Sequence, residues 1–231
     1  MKSLVTLIAG IIVLMTSIHC PGQNYRKVIH AFIDEYYMEK TIFGISDNYQ
    51  NIKGSPYLSD RFITGVITMK DGNVYEGPLR YNCYADQLEF KTEEGEVYAI
   101  AKPEIIKKVT IEKDSFLYVP DQKDPGKGNF YQVVTEGEYS LLMKHRTILK
   151  DAEPARAYAE ATPAQFVRKD VEYLLYHEQT GLVPVRSKRD LNNFAETIDE
   201  SLKSFVKKRK IKTNDKEDMV QITEYLNAAV K

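Results

Sequence analysis

Between residues 62 and 119 the chain alternates apolar and polar side chains with a period of two, and turn-forming residues cut the run at short intervals. A period of two sends successive side chains to opposite faces, as a half-buried strand requires. Residues 62–69 lead into Asp71-Gly72, and residues 74–77 follow. Asp-Gly between extended segments predicts a tight hairpin, because glycine accepts the positive φ of a primed turn. Further short runs occupy residues 79–84, 87–91, 96–100, 106–111 and 115–119. They are separated by Ala85-Asp86, Glu93-Glu94-Gly95, residues 101–103 and Lys113-Asp114. This spacing predicts an antiparallel meander. After a polar loop at 121–128, strands are expected at 130–136 and 139–149, turning through Glu136-Gly137-Glu138. A last hairpin is expected from 165–176 and 181–185, with its tip at 178–181. The alanine-rich stretch 152–164, bearing Pro154 and Pro163, reads as a helical turn or a crossing loop.

Both ends of the chain change period. Val28, Ile29, Phe32, Ile33, Tyr36 and Tyr37 recur three and four residues apart, predicting an amphipathic helix over 25–40. A polar stretch at 46–59, with Gly54 and Pro56, connects it to the meander. Residues 187–231 carry three helix-start signals: Ser187 with Asp190, Thr197 with Glu200, and Asn214 with Glu217. Leu191, Phe194, Ile198, Leu202, Phe205, Val206, Met219, Val220, Tyr225 and Leu226 would face inward. Three short helices bury too little alone, so they are expected to dock on the sheet. The fold class is therefore α+β, mainly β. An antiparallel meander, barrel or sandwich-like, spans 60–186. An N-terminal helix and loop occupy 23–59, and a C-terminal helical cluster at 187–231 covers one end or an open edge.

The first residues set the compartment. Lys2, an apolar run from Leu4 to Ile18, and His19-Cys20-Pro21-Gly22 together read as a secretory signal peptide over 1–22. The run is short for a membrane span, which takes about 20 apolar residues. Small residues at Cys20 and Gly22 place the cut before Gln23; a lipoprotein retained at Cys20 is the alternative, and His19 and Pro21 fit it poorly. No transmembrane segment is expected after cleavage. The expected location is the periplasm or the cell surface. Only Cys83 then remains, excluding an internal disulfide and a thiolate metal site, and a buried thiol is expected. A formal net charge of −1 argues against a nucleic-acid partner. The absence of an N-glycosylation sequon suits a bacterial envelope.

Several short motifs carry a resemblance. Gly54-Ser55-Pro56-Tyr57-Leu58, Gly77-Pro78-Leu79-Arg80-Tyr81-Asn82 and Asp86-Gln87-Leu88-Glu89-Phe90 resemble a family of exported Bacteroidota proteins of unknown function. Ala152-Glu153-Pro154, Ser187-Lys188-Arg189-Asp190-Leu191 and Tyr225-Leu226-Asn227 are similar to it as well. The resemblance covers most of the mature chain and implies an envelope location without an activity.

The chemistry-bearing residues are scattered. His30, His145 and His177 have no metal-ligand spacing, and His177-Glu178 is the one exposed acid–base candidate, read as a solvated turn pair. Gly126-Lys127-Gly128-Asn129 lacks the spacer and hydroxyl of a phosphate loop. No Gly-x-Ser-x-Gly elbow occurs. Asp86, Glu89, Glu93, Glu94 and Glu96 could supply the carboxylate pair of a hydrolase, if two of them stood about 5–10 Å apart in a cleft. Lys203, Lys207, Lys208, Arg209, Lys210 and Lys212 read as cations at a helix C-terminus, with an anionic surface as the alternative partner. Tyr57, Tyr75, Tyr81, Tyr84 and Tyr98 could stack on sugars but fit ordinary strand packing, and the chain has no Trp. No residue is singled out as catalytic, cofactor-binding or metal-binding, and no cofactor is implied. The function expected is an envelope protein acting as a binding or assembly module, leaning against an enzyme. Its partner would be an envelope protein or a glycan. The alternatives are the hydrolase and a small-molecule carrier using a barrel interior.

Overall fold

The computed structural model describes residues 26–36, 42–44, 49, 52–124, 127–155, 160–198 and 200–229. The expected leader, its cut before Gln23, and Cys20 lie outside the described residues, as does Gly126. In chain order the elements are β1 (Arg26–Val28), α1 (Ile29–Tyr36), β2 (Ile42–Gly44), β3 (Ile63–Met69), β4 (Val74–Asn82), β5 (Gln87–Lys91) and β6 (Val97–Ile100). There follow β7 (Ile106–Ile111), β8 (Asp114–Pro120), β9 (Gly128–Thr135), β10 (Tyr139–Lys144), β11 (Thr147–Lys150), β12 (Gln165–Arg168), β13 (Glu172–His177) and β14 (Gly181–Pro184). Helices α2 (Lys188–Ile198), α3 (Glu200–Arg209) and α4 (Lys216–Ala229) end the chain.

The meander is an open sheet in the order β14-β13-β10-β9-β8-β7-β3-β4-β5-β6-β2, with β1 added in parallel to β4. The fold class is α+β, mainly β, and of the two architectures expected the closed barrel is not formed. The sheet nevertheless curls strongly. Four inter-strand steps separate β9 from β4, roughly 19 Å on a flat sheet, yet the rings of Phe130 and Tyr81 lie 6.1 Å apart. Tyr75, Phe90, Phe116 and Phe130 fill the concave face, and Phe32 of α1 plugs it at 5.1 Å from Tyr75 and 5.5 Å from Phe90.

Local chemistry explains the turns. Gly72 takes φ +93° in the first hairpin, where Asp71 Oδ1 accepts from the Asn73 amide at 2.9 Å. The runs 74–77 and 79–84 merge into the single strand β4, through Gly77-Pro78. Glycine is needed there because a Cβ would meet the Cβ of Ile29 at 2.5 Å. The N-terminal helix starts later than the periodicity predicts, and residues 37–40 lie outside the described residues. Residues 26–28 pair with β4 instead, and Val28 is 67% exposed.

The largest departure lies at the two long runs 139–149 and 165–176. Each breaks in the middle, at His145-Arg146 and at residues 169–171. β10 pairs with β13 in the main sheet, while β11 and β12 form a separate two-stranded ribbon. The polar and charged residues at both breaks cannot sit on the buried faces that the flanking leucines occupy, so the hairpin bends there. The ribbon folds back over the turn after β4, where the Thr147 amide donates to the Cys83 carbonyl at 3.2 Å.

The helices cover the sheet face at the β10–β13 end. Leu141 and Leu175 meet Leu191, Leu202, Val206, Met219, Ile222 and Leu226 there. Asn227 locks α4 in place: its Oδ1 accepts from the Tyr139 amide at 2.8 Å and its Nδ2 donates to the Tyr139 carbonyl at 2.9 Å. Ser187 and Asp190 exchange reciprocal side-chain bonds with each other's amides, the expected capping box. The other two start signals shift. Thr197 donates its hydroxyl back to the Phe194 carbonyl inside α2, and α4 is capped by Asp215, whose Oδ1 accepts from the Asp218 amide at 3.0 Å. Ile198 stays 42% exposed, contrary to its expected inward face.

Candidate functional site

The turn joining β4 to β5 is built by side chains. Asn82 Oδ1 accepts from the Tyr84 and Ala85 amides at 3.1 and 2.9 Å, and Asp86 adopts φ +55°. Asp and Asn tolerate this left-handed conformation better than other non-glycine residues. The turn therefore aims two acidic side chains inward from positions three residues apart.

Glu89 is 0% exposed. Its Oε2 binds Arg80 Nη2 at 2.7 Å and Nε at 2.8 Å, and its Oε1 accepts from Asn82 at 2.9 Å. The Arg80 guanidinium also lies 3.5 Å from the ring centre of Tyr57 and 4.2 Å from that of Phe62. A buried carboxylate needs such complete pairing. Asp86 meets Lys144 at the open end of β10, with Nζ 2.6 Å from Oδ1. Lys144 is 7% exposed and also donates to the Phe130 carbonyl at 3.1 Å and to the Tyr81 hydroxyl at 3.3 Å. The Tyr81 hydroxyl in turn donates to Asp86, and the Phe130 amide reaches the same oxygen at 3.3 Å. The β9–β10 pairing ends before Phe130, and on that side Lys144 and Asp86 bond its backbone groups instead. This clasp closes the curl.

Burial dominates the electrostatics. It lowers the pKa of Lys144 against the opposing pull of Asp86. Burial, reinforced by Asp86, raises that of Tyr81 far above the phenol range. The Cys83 thiol is pushed up to about 11 and Tyr131 up to about 12, each chiefly by burial.

Beside the clasp a cleft of about 370 Å³ opens between the β4–β5 turn and the β10–β11 bend. Tyr84, Asp86, Asn129, Lys144, Arg146 and Thr147 line it, with Cys83 and the apolar Ile148 and Leu149. Asp86 Oδ2 and Thr147 Oγ1 are buried there without a hydrogen-bond partner. An unmade bond of this kind costs about 1–3 kcal/mol. Arg146 is exposed, and no carboxylate pairs with it among the described residues. Tyr84 is 42% exposed, held by edge contacts to Tyr49 and Phe166 at 6.0 and 5.2 Å between ring centres.

The other sequence candidates fall elsewhere. Glu93, Glu94 and Glu96 sit at the exposed β5–β6 turn. His30 is exposed on α1. His145 accompanies the β10–β11 bend, bonded to Gln132 at 2.6 Å and pushed down to about 4 by burial. His177 is not the exposed residue expected: it is buried against the Tyr139 ring, 3.4 Å from Glu138 and close to the solvated Glu178. The basic run decorates the C-terminal turn of α3, as the dipole reading predicts, and Lys203 pairs with Glu196 at 2.8 Å. Lys127 pairs with Asp124 at 2.9 Å. Tyr57, Tyr75 and Tyr81 are buried and Tyr98 is half-buried, which leaves Tyr84 as the exposed ring of the five. Lys144, Arg146 and Thr147 were not singled out, and Asn129 entered only as part of the 126–129 loop. The signal for the first two was the basic triplet Lys144-His145-Arg146 interrupting an apolar strand.

Among the described residues no cluster of His, Cys, Asp and Glu is placed to hold a metal, and no helix is long and apolar enough to cross a membrane. Comparison of the chain with protein-family models, curated proteins and solved structures gave no match.

Proposed function

We propose that this chain is an exported cell-envelope protein that works as a non-enzymatic binding or assembly module. The leader-like residues 1–22 and the resemblance to exported Bacteroidota proteins support the location. The observation that carries the binding reading is the cleft at the clasp. It combines an exposed aromatic ring with a guanidinium that has no carboxylate partner among the described residues. The carboxylates nearby, by contrast, are tied into the fold. The Asp86 carboxylate is bound to a cation and so is that of Glu89, so neither is free to shuttle protons as a glycosidase pair must. The carboxylates of Glu138 and Glu178 by His177 are solvated, without the dry setting that tunes an acid catalyst. The concave face of the sheet is filled with aromatic rings, so the carrier alternative draws no support from it.

Cell fractionation followed by cross-linking in the intact envelope tests the reading. The expected result is a mature form beginning at Gln23, recovered from the envelope in a cross-linked complex with a protein or glycan. Recovery of the full-length chain from the cell interior would overturn the location. Recovery of the mature form alone under mild extraction would overturn the binding role.

A further inference from the structure

We propose that the cleft beside the clasp binds one unit of an acidic glycan, a pyranose ring bearing a carboxylate. The inference deepens the binding-module reading and rests on it.

Three features of the cleft converge on that chemistry. Tyr84 supplies a flat apolar face that stays 42% exposed in a chain whose other strand tyrosines are buried or half-buried. Edge contacts from Tyr49 and Phe166 hold that ring in place, so binding orders little more of it. A pyranose presents a matching face of C–H groups, whereas a lipid tail has no need of the polar groups alongside. Ring hydroxyls both donate and accept, which suits the mixed donors and acceptors of the cleft lining. Asn129, with an amide that donates and accepts, lines the same space.

Charge selects the acidic sugar. Lys144 and Asp86 neutralise each other at 2.6 Å. Arg146 lines the cleft and has no carboxylate partner among the described residues, so the cleft is left with one excess positive charge. A guanidinium recognises a carboxylate through two parallel bonds. The cavity of about 370 Å³ has the size of one or two rings rather than of an extended chain.

The test uses the mature protein, ¹⁵N-labelled, titrated with a trigalacturonate, with the neutral maltotriose and with inorganic phosphate. The expected result is saturable shifts at Tyr84, Asn129, Arg146 and Thr147 with the uronate, roughly tenfold stronger than with the neutral sugar. Arg146→Ala should weaken uronate binding about tenfold and leave the neutral sugar unchanged, while Tyr84→Ala weakens both. Both side chains are exposed, so both variants keep the fold, which the spectrum itself reports. Equal binding of the two sugars overturns the acidic assignment, and equal binding of phosphate overturns the sugar assignment. Uronate binding indifferent to both Arg146→Ala and Tyr84→Ala, or no shift in the cleft at about 10 mM, overturns the site. Each of these leaves the cross-linking result untouched, so the broader binding role stands or falls separately.

Discussion

Asp86→Asn isolates the charge of the clasp. Asparagine keeps the size of the side chain and tolerates the φ of +55° at this turn. It still accepts from the Tyr81 hydroxyl and the Phe130 amide, so what disappears is the negative charge 2.6 Å from Lys144. Removing one partner of a fully buried pair costs about 3–5 kcal/mol. The Asp86 side chain is 21% exposed, so solvent screening reduces the expected loss to about 2–3 kcal/mol. For a chain of this size each kcal/mol moves the melting temperature roughly 2–4 °C, which predicts a fall of about 4–12 °C. Circular dichroism during urea and thermal unfolding of the mature chain measures it. The effect also has a pH signature. Burial holds the pKa of Lys144 below its ordinary 10.5, so the unfolded chain binds more protons in that window and the group's penalty is relieved as pH rises through it. Without Asp86 the lowering deepens and the window opens at lower pH. The difference between variant and parent should therefore shrink as pH rises toward the ordinary lysine value of 10.5. Combining Asp86→Asn with Lys144→Met should cost less than the sum of the two single changes. A loss under about 0.5 kcal/mol, independent of pH, would refute the clasp as the closure of the curl.

Three further outcomes follow from the packing. Gly77→Ala would drive a methyl into Ile29, 2.5 Å from its Cβ, and should lower stability by about 1–3 kcal/mol; an unchanged urea midpoint would contradict the close approach of α1 to β4. Cys83 is buried with its thiol pushed up to about 11, so a thiol reagent at pH 8 should label it only as fast as the chain unfolds; complete labelling within minutes in native buffer would refute this. His145 is pushed down to about 4 by burial, so the unfolded chain binds its proton first on acidification and stability falls as pH drops from 6.5 toward 4. His145→Gln, which can still bond Gln132, should flatten that part of the stability–pH curve, and an equally steep curve in the variant would remove His145 as its cause.

Strands, turns and helix faces were legible wherever a local pattern repeats. Asp71-Gly72 and the period-two runs around it predicted β3 and its hairpin, and the three-four spacing of Ile29 and Phe32 predicted the buried side of α1. The breaks at His145-Arg146 and at residues 169–171 were not, because hydrophobic alternation reports which face a residue takes and says nothing of where a strand leaves its sheet. The cap of α4 moved for a related reason. Several oxygen-bearing side chains stand near its start, and which of them caps depends on how the chain arrives. Asp86 and Glu89 were legible as acidic residues but not as members of ion pairs.

What the chain's own order of residues determined is local: where the backbone extends, where it turns, and which side of each element avoids water. Those choices depend on neighbours a few positions away. The tertiary structure alone decided the site. Lys144 meets Tyr81 across a separation of 63 residues because the sheet curls and a broken hairpin folds back over the β4–β5 turn. Curl accumulates from small twists summed over many strands, and no single residue encodes that sum.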